Sequence, residues 1–202
     1  LTINLVTILY WTKTGNKHAL MLFSILFGLS LTNHMSGILF APGFAWIILR
    51  SQWWSWRNWK LLLYMVILFL IGLSIYLYLP IRAQANTPHN YVSTYYNIDI
   101  SSLSGMLWLI SGQAYRFFSF GYSLVELPAE LIIFLSCLWR NFLGVGVILG
   151  LFGIVRLFKR NFNIAFGLFI SFITTAVFYM NYRVIDKDTM FLAVFLIWAI
   201  FL

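Results

Sequence analysis

The sequence predicts an all-α polytopic membrane protein: about seven transmembrane helices, with interfacial helices in a long extracytoplasmic loop. Three observations carry that prediction. Hydrophobic residues make up 62% of the 202 positions and charged residues only 9%, against roughly 25% charged in a soluble domain. Apolar runs approaching the ~20 residues that cross a bilayer recur along the chain. The charges between those runs sort by sign in alternate loops. The same figures exclude other classes. The net charge of +8 would suggest a nucleic-acid partner in a soluble protein, but too little polar surface is left to keep such a module in water. Cys137 stands alone, which excludes a disulfide scaffold. The hydrophobicity excludes disorder.

The runs are Leu1–Trp11, Ala19–Leu31, Met35–Leu49, Leu61–Leu79, Phe142–Phe158, Phe162–Met180 and Met190–Leu202. Leu1 opens the chain without a basic n-region, so the first run is not read as a signal peptide. The first and last runs are read as truncated helices of a larger membrane domain. The second and third runs are short. They form either a tight hairpin turning at Thr32-Asn33-His34 or one long kinked helix. Loop charge favours the hairpin. With seven spans, Lys13, Lys17, Arg50, Arg57, Lys60, Arg156, Lys159 and Arg160 all fall on one side with no acid among them. The other side carries five basic and five acidic residues. Basic loops face the cytoplasm, so the balanced side is extracytoplasmic. Merging the two short runs would destroy this agreement. Trp53, Trp54, Trp56 and Trp59, among basic residues, resemble a single-stranded nucleic-acid platform. Lying directly between two spans, they are better read as an interfacial aromatic belt, and no nucleic-acid partner is expected.

The chain divides into first helices (1–80), an extracytoplasmic loop (81–140) and last helices (141–202). Pro80 is expected to end the fourth span. In the loop, Ile100, Leu103, Leu107, Ile110, Ala114 and Phe117 recur at three- and four-residue steps. They predict one interfacial helix, capped by Asp99 or Ser101. A second helix is predicted to start at Pro128 with Glu130 in its first turn. It would run through Ile132, Leu135 and Trp139. Polar residues converge on this outer side: Asn33 and His34 at the hairpin, Arg82 after Pro80, and Asp186-Lys187-Asp188 before the last span. Taken singly they read as a helix-end histidine, a snorkelling cation and a solvated turn. No phosphate loop, nucleophile elbow or zinc helix is present. Three scattered His and one Cys predict no metal site, and no cofactor is identified.

Several strings carry a resemblance. They are Phe27-Gly28-Leu29-Ser30-Leu31-Thr32-Asn33-His34 with Leu39-Phe40-Ala41-Pro42-Gly43, Gly72-Leu73-Ser74-Ile75-Tyr76-Leu77-Tyr78-Leu79-Pro80-Ile81-Arg82-Ala83, Gly112-Gln113-Ala114-Tyr115-Arg116, and Asn181-Tyr182 with Asp186 ahead of an apolar run. In order and spacing they resemble the domain-of-unknown-function family 2723 of polytopic membrane proteins, which includes transmembrane protein 260-like protein O-mannosyltransferases. After Arg82-Ala83 the family pattern is interrupted, with Asn86-Thr87-Pro88-His89-Asn90-Tyr91 in place of its usual continuation.

The resemblance implies a GT-C type membrane glycosyltransferase. Such an enzyme moves a sugar, mannose being one candidate, from a polyprenyl-phosphate carrier to a protein or glycan acceptor on the extracytoplasmic face. The donor is a substrate, and membrane lipids are the other partners. The resemblance implies substrate-binding roles for Asn33, His34, Arg82, Gln113, Tyr115, Arg116 and Asp186. Arg82 or Arg116 would hold the phosphate, since guanidinium matches phosphate geometry. The catalytic acid is expected in an outer loop upstream of Leu1, so none of these residues is read as catalytic. The family's distribution implies a bacterial inner membrane. The alternatives are a transporter or flippase of a lipid-linked substrate, which would need polar residues at mid-span, and a non-catalytic membrane subunit.

Overall fold

A computed structural model describes residues 1–54, 57–85 and 91–202, with the backbone alone at Tyr91. Trp56 of the expected aromatic belt and the divergent residues 86–90 lie outside the described residues. Within them the chain is all-helical, without strands. The α-helices are α1 (Thr2–Thr14), α2 (Lys17–Asn33), α3 (Ala41–Leu49), α4 (Trp59–Leu73), α5 (Tyr78–Gln84), α6 (Tyr91–Tyr96), α7 (Leu103–Ile110), α8 (Leu127–Asn141), α9 (Val145–Arg160), α10 (Phe162–Met180), α11 (Lys187–Met190) and α12 (Leu192–Phe201). Three 3-10 segments join them, at Met35–Phe40, Ser74–Leu77 and Gln113–Phe118.

Local chemistry sets the boundaries. Gly15, at φ 67°, ends α1, and the Asn16 carboxamide caps α2 by accepting from the His18 N–H at 2.9 Å. After α2 the His34 backbone is extended, and the chain reverses through Met35–Phe40 into α3. The two short runs therefore form the expected hairpin. Phe44 of α3 meets Phe23 and Phe27 of α2 edge-on, at 5.1 and 5.5 Å. Asn161 caps α10 through the Ile164 N–H at 3.2 Å.

Among the described residues, two helices are long and apolar enough to cross a membrane: the 26-residue stack Trp59–Gln84 and the 19-residue α10. The stack is about 39 Å long at 1.5 Å per residue, more than the ~30 Å hydrocarbon core. Helices α8 and α9 would add a third span only as a pair, and they meet at a bend of 100°. Met35–Leu49 and Leu192–Phe201 are apolar but shorter. By length, two or three candidate spans are found among the described residues, and the expected seven are not confirmed.

The packing is of the kind that membrane helices use, with small residues bringing backbones together. Helix α4 crosses α2 at Gly72 and Gly28, where a Cβ on either glycine would collide with the other helix's backbone. Helix α3 crosses α10 at Gly43 and Gly167 in the same way. The core joins Leu5, Ile8 and Trp11 of α1 to Leu20, Phe44, Leu168 and Ile197. In α4 only Gly72 is buried, so the stack stands at the edge, attached through its glycine.

The ends of the helices sort as the loop charges predicted. The Trp53 indole donates to the Thr12 carbonyl at 3.0 Å, and the Asn163 amide donates to the Arg50 carbonyl at 3.1 Å. These bonds gather the 13–17, 50–53 and 160–163 segments at one end. The Tyr76 hydroxyl, donating to the Leu31 carbonyl at 2.6 Å, marks the opposite end.

Two expectations need correction. Pro80 does not end its helix; α5 runs on to Gln84. The 3-10 turn Ser74–Leu77 precedes it, and Pro80 then sits in the first turn of α5, where its missing N–H costs little. The helix expected over Ile100–Phe117 is only α7, eight residues long. Its cap is Ser102, which accepts from the Gly105 N–H at 3.0 Å. Asp99 instead accepts from the Ser101 N–H at 2.9 Å. Gly112, at φ 70°, breaks the periodicity before the 3-10 segment. Helix α8, by contrast, begins as expected, with a proline in its first turn and Glu130 just after.

Candidate functional site

The end opposite the basic loops carries a cleft of about 680 Å³, within the range of small-molecule sites. Five remote segments build it, one of them giving only Met190 at the end of α11. The α2–α3 reversal contributes Asn33, His34 and Ser36. The 3-10 turn beside it contributes Tyr76. The break after α7 contributes Ser111, Gly112, Tyr115 and Ser119, and the end of α10 contributes Phe178, Tyr179 and Tyr182. Among the described residues, no acidic, lysine or arginine side chain lines it. Its polar groups are hydroxyls, one amide and one imidazole.

His34 is held in one orientation. Its Nδ1 accepts from the Ser36 N–H at 3.3 Å and lies 2.6 Å from the Ser36 hydroxyl. A backbone N–H can only donate, so the hydrogen-bond network assigns the neutral ring's proton to Nε2. Gly112 has nothing within 4 Å of where a Cβ would stand; the left-handed backbone alone calls for glycine there. That turn redirects the chain so that Tyr115 joins the cleft.

An aromatic shelf closes one side. Phe178 stacks on Tyr182 at 5.6 Å, Phe118 meets Tyr182 at 6.3 Å, and Phe120 meets Phe178 at 6.0 Å. Two main-chain bonds fix the shelf's segments together, Arg183 N–H to Phe118 carbonyl at 2.8 Å and Gly121 N–H to Asn181 carbonyl at 3.1 Å. Burial pushes the Tyr182 phenol above its ordinary pKa, with Tyr115 and Tyr179 adding to the effect. It therefore remains a hydrogen-bond donor at neutral pH.

A second cleft, of about 480 Å³, lies between α8 and residues 184–188. It is charged. Lys187 pairs with Glu130, and each residue is only 7% exposed. The ammonium also donates to the Met180 carbonyl at 3.1 Å and sits 4.3 Å from the centre of the Tyr122 ring. Next to it, Arg140 pairs with Asp188, and the Cys137 thiol donates to the same carboxylate at 2.8 Å. Glu126 accepts from the Ser123 N–H and hydroxyl, both at 2.8 Å, and these bonds hold its carboxyl below the usual pKa.

Of the residues singled out from the sequence, the first cleft brings together Asn33, His34 and Tyr115. Arg116 follows Tyr115 in the 3-10 segment and is exposed, and Gln113 precedes it; neither lines the cleft. Arg82 is exposed on α5 and donates to the Tyr78 hydroxyl at 3.0 Å, outside the cleft lining. Asp186 lines the second cleft, apart from the others. The sequence reading passed over Tyr76, Tyr179 and Tyr182 as site residues. Tyr76 and Tyr182 sit inside the quoted strings, but tyrosines at helix ends read equally well as interfacial anchors. It also missed the Glu130–Lys187 pair, whose members are 57 residues apart. No protein-family model matches the chain, and no curated protein or solved structure matches it.

Proposed function

We propose that this chain is part of a membrane glycosyltransferase that takes a sugar, mannose being the first candidate, from a polyprenyl-phosphate carrier at the extracytoplasmic face. The observation that carries the reading is the first cleft. It is lined by neutral hydrogen-bonding groups and aromatic rings, and it lies at the end of two membrane-length helices, opposite the basic loops. Hydroxyls of Tyr76, Tyr179, Tyr182 and Ser36, with the Nε2–H of His34, suit a polyhydroxyl ligand. Aromatic faces suit the C–H side of a sugar ring. Arg116, next to Tyr115, and Arg82, at the outer end of α5, are the cations for the carrier phosphate. They would also stabilise its charge as the sugar leaves.

The helix directions support a multi-pass arrangement beyond the two or three membrane-length segments. Helices α1, α3 and α9 run toward the basic end, while α2, α4 and α10 run away from it. Short helices are completed by neighbours rather than by length, and a bacterial inner membrane fits the basic loops as cytoplasmic. Among the described residues the buried hydroxyls of the helices are satisfied within the protein, Glu130 pairs with Lys187, and the Asn4 Oδ1 has no partner. Ser24, Ser171 and Thr175 donate to carbonyls of their own helices, and Asn4 donates to Ser30 at 2.9 Å.

The test is transfer itself. Full-length protein in lipid discs is incubated with a polyprenyl-phosphate hexose and Ser/Thr peptides, and the products are weighed. Addition of one hexose, lost in Asn33→Ala/His34→Ala at equal protein level, is expected. No addition to any peptide or glycan acceptor, with donor intact, contradicts the reading.

A further inference from the structure

The end of the bundle opposite the outer cleft carries charge of one sign. All five acidic residues of the chain lie at positions 99–130 and 186–188. The ion pairs among the described residues, Arg140–Asp188, Arg183–Glu126 and Lys187–Glu130, are all there. The segments 13–17, 50–60 and 156–160 hold eight basic residues and no carboxylate. An anion that answers them has to come from outside these segments.

At this end a polar pocket of about 310 Å³ opens between the end of α1, the turn after α3 and the start of α10. Thr12, Arg50, Ser51, Gln52, Asn161 and Asn163 are among its walls. Its hydrogen-bond acceptors are largely taken. The Thr12 carbonyl accepts from the Trp53 indole at 3.0 Å, and the Arg50 carbonyl accepts from the Asn163 amide at 3.1 Å. The Asn161 Oδ1 accepts from the Ile164 N–H at 3.2 Å, and the Ser51 hydroxyl oxygen accepts from the Trp53 N–H at 3.3 Å. These bonds leave donors facing the space: the Arg50 guanidinium, the Ser51 O–H and the amide groups of Gln52 and Asn161. The Arg50 main chain is fixed by Asn163, and its guanidinium carbon lies 5.7 Å from the centre of the Trp46 ring, a cation–π contact that orients it. Helix α10 begins at this wall, and its N-terminal end adds partial positive charge.

We propose that this pocket binds the phosphodiester of an anionic phospholipid from the leaflet at the basic end. A guanidinium with neutral hydroxyl and amide donors matches the oxygens of a phosphate. The depth is that of lipid headgroups. Trp53, bonded to the pocket wall at Thr12, and Trp59 are 44% and 62% exposed, and indoles of this kind sit at the membrane–water boundary. Basic pockets between helices hold anionic headgroups there. Phosphatidylcholine carries the same phosphate, but its quaternary ammonium would bring a further cation among cations. A glycerol head brings hydroxyls instead. The site lies at the opposite end from the outer cleft and stands whether or not that cleft receives a sugar.

The test strips full-length protein of lipid in detergent and titrates it with dioleoyl phosphatidylglycerol or dioleoyl phosphatidylcholine. Retained lipid is counted by native mass spectrometry. One phosphatidylglycerol is expected to be retained about tenfold more tightly than phosphatidylcholine. Arg50→Gln is expected to weaken that adduct about tenfold, the loss of a charge-assisted pair. Asn161→Ser keeps a cap for α10 but removes the amide donor, and should weaken it about threefold at an unchanged melting temperature. Lys13→Gln removes the same charge outside the pocket lining and should change it less than about twofold. Equal losses in Arg50→Gln and Lys13→Gln mean a diffuse charge field and overturn the site. Equal retention of the two lipids, or unchanged retention in Asn161→Ser, overturns it as well. Displacement of the lipid by an equal concentration of inorganic phosphate overturns the phospholipid as its occupant.

Discussion

Replacing Lys187 by Met isolates the ion pair that joins α8 to the segment after α10. The substitution keeps an unbranched side chain of similar length but removes the charge, leaving the Glu130 carboxylate 7% exposed and unpaired. The Met180 carbonyl and the Tyr122 ring lose the same partner. Breaking a buried pair from one side costs about 3–5 kcal/mol, because a desolvated charge remains. At about 2–4 °C per kcal/mol for a chain of this size, the melting temperature should fall by about 6–20 °C. The neighbouring Arg140–Asp188 pair is the internal control. Its side chains are 68% and 55% exposed, and exposed pairs contribute at most about 1 kcal/mol. Arg140→Leu should therefore shift the melt only slightly. The double variant Glu130→Leu/Lys187→Met removes both charges and should recover most of the loss. The assay is thermal unfolding in detergent followed by tryptophan fluorescence, with the four-member cycle Glu130→Leu, Lys187→Met, double and wild type. If Lys187→Met costs no more than Arg140→Leu, or if the double variant is as unstable as the single, the pair is not the fastening described.

Three further outcomes are expected. Gly28→Leu or Gly72→Leu should separate α4 from α2, because even a Cβ there meets opposing backbone; a loss of about 1–3 kcal/mol is expected in the same melt, while Gly37→Ala, facing only the end of the Leu31 side chain at 3.1 Å, should cost less. Gly112→Ala should be destabilised by about 1 kcal/mol through its left-handed backbone alone, with the open space around it giving no relief. The Glu126 carboxyl has its pKa lowered by the Ser123 bonds. Its contribution is therefore present above the ordinary value of 4.5 and lost as pH falls through the lower folded value. Limited proteolysis near Gly121–Glu126 should speed up over that acid window in wild type, and Glu126→Gln should flatten the pH response.

Much of the arrangement was legible because its causes are local or compositional. The sidedness of the loops rests on counts such as Lys13, Lys17 and Arg50 against no acid, and the chain brings those segments to one end. The reversal at Asn33-His34 and the start of α8 beside Pro128 follow from residues adjacent in sequence. What escaped depended on geometry that periodicity does not contain. The stripe from Ile100 to Phe117 continues smoothly through Gly112, yet one left-handed residue turns the chain and sends Tyr115 into the cleft. Pro80 reads as a stop, but a preceding 3-10 turn lets it open a new helix. Lys187 reads as part of a solvated turn until its partner is found on α8. Length leaves the span count open: apolar runs such as Met35–Leu49 are shorter than a bilayer requires on their own.

The central claim is that the cleft at the end opposite the basic loops receives the donor's head. Native mass spectrometry of the full-length protein with polyprenyl-phosphate mannose tests it directly, comparing wild type with Ser36→Trp, which fills the cleft at a half-buried wall position. The account predicts a retained donor adduct on wild type and none on Ser36→Trp at an unchanged melting temperature. An adduct of equal abundance on both proteins would contradict it.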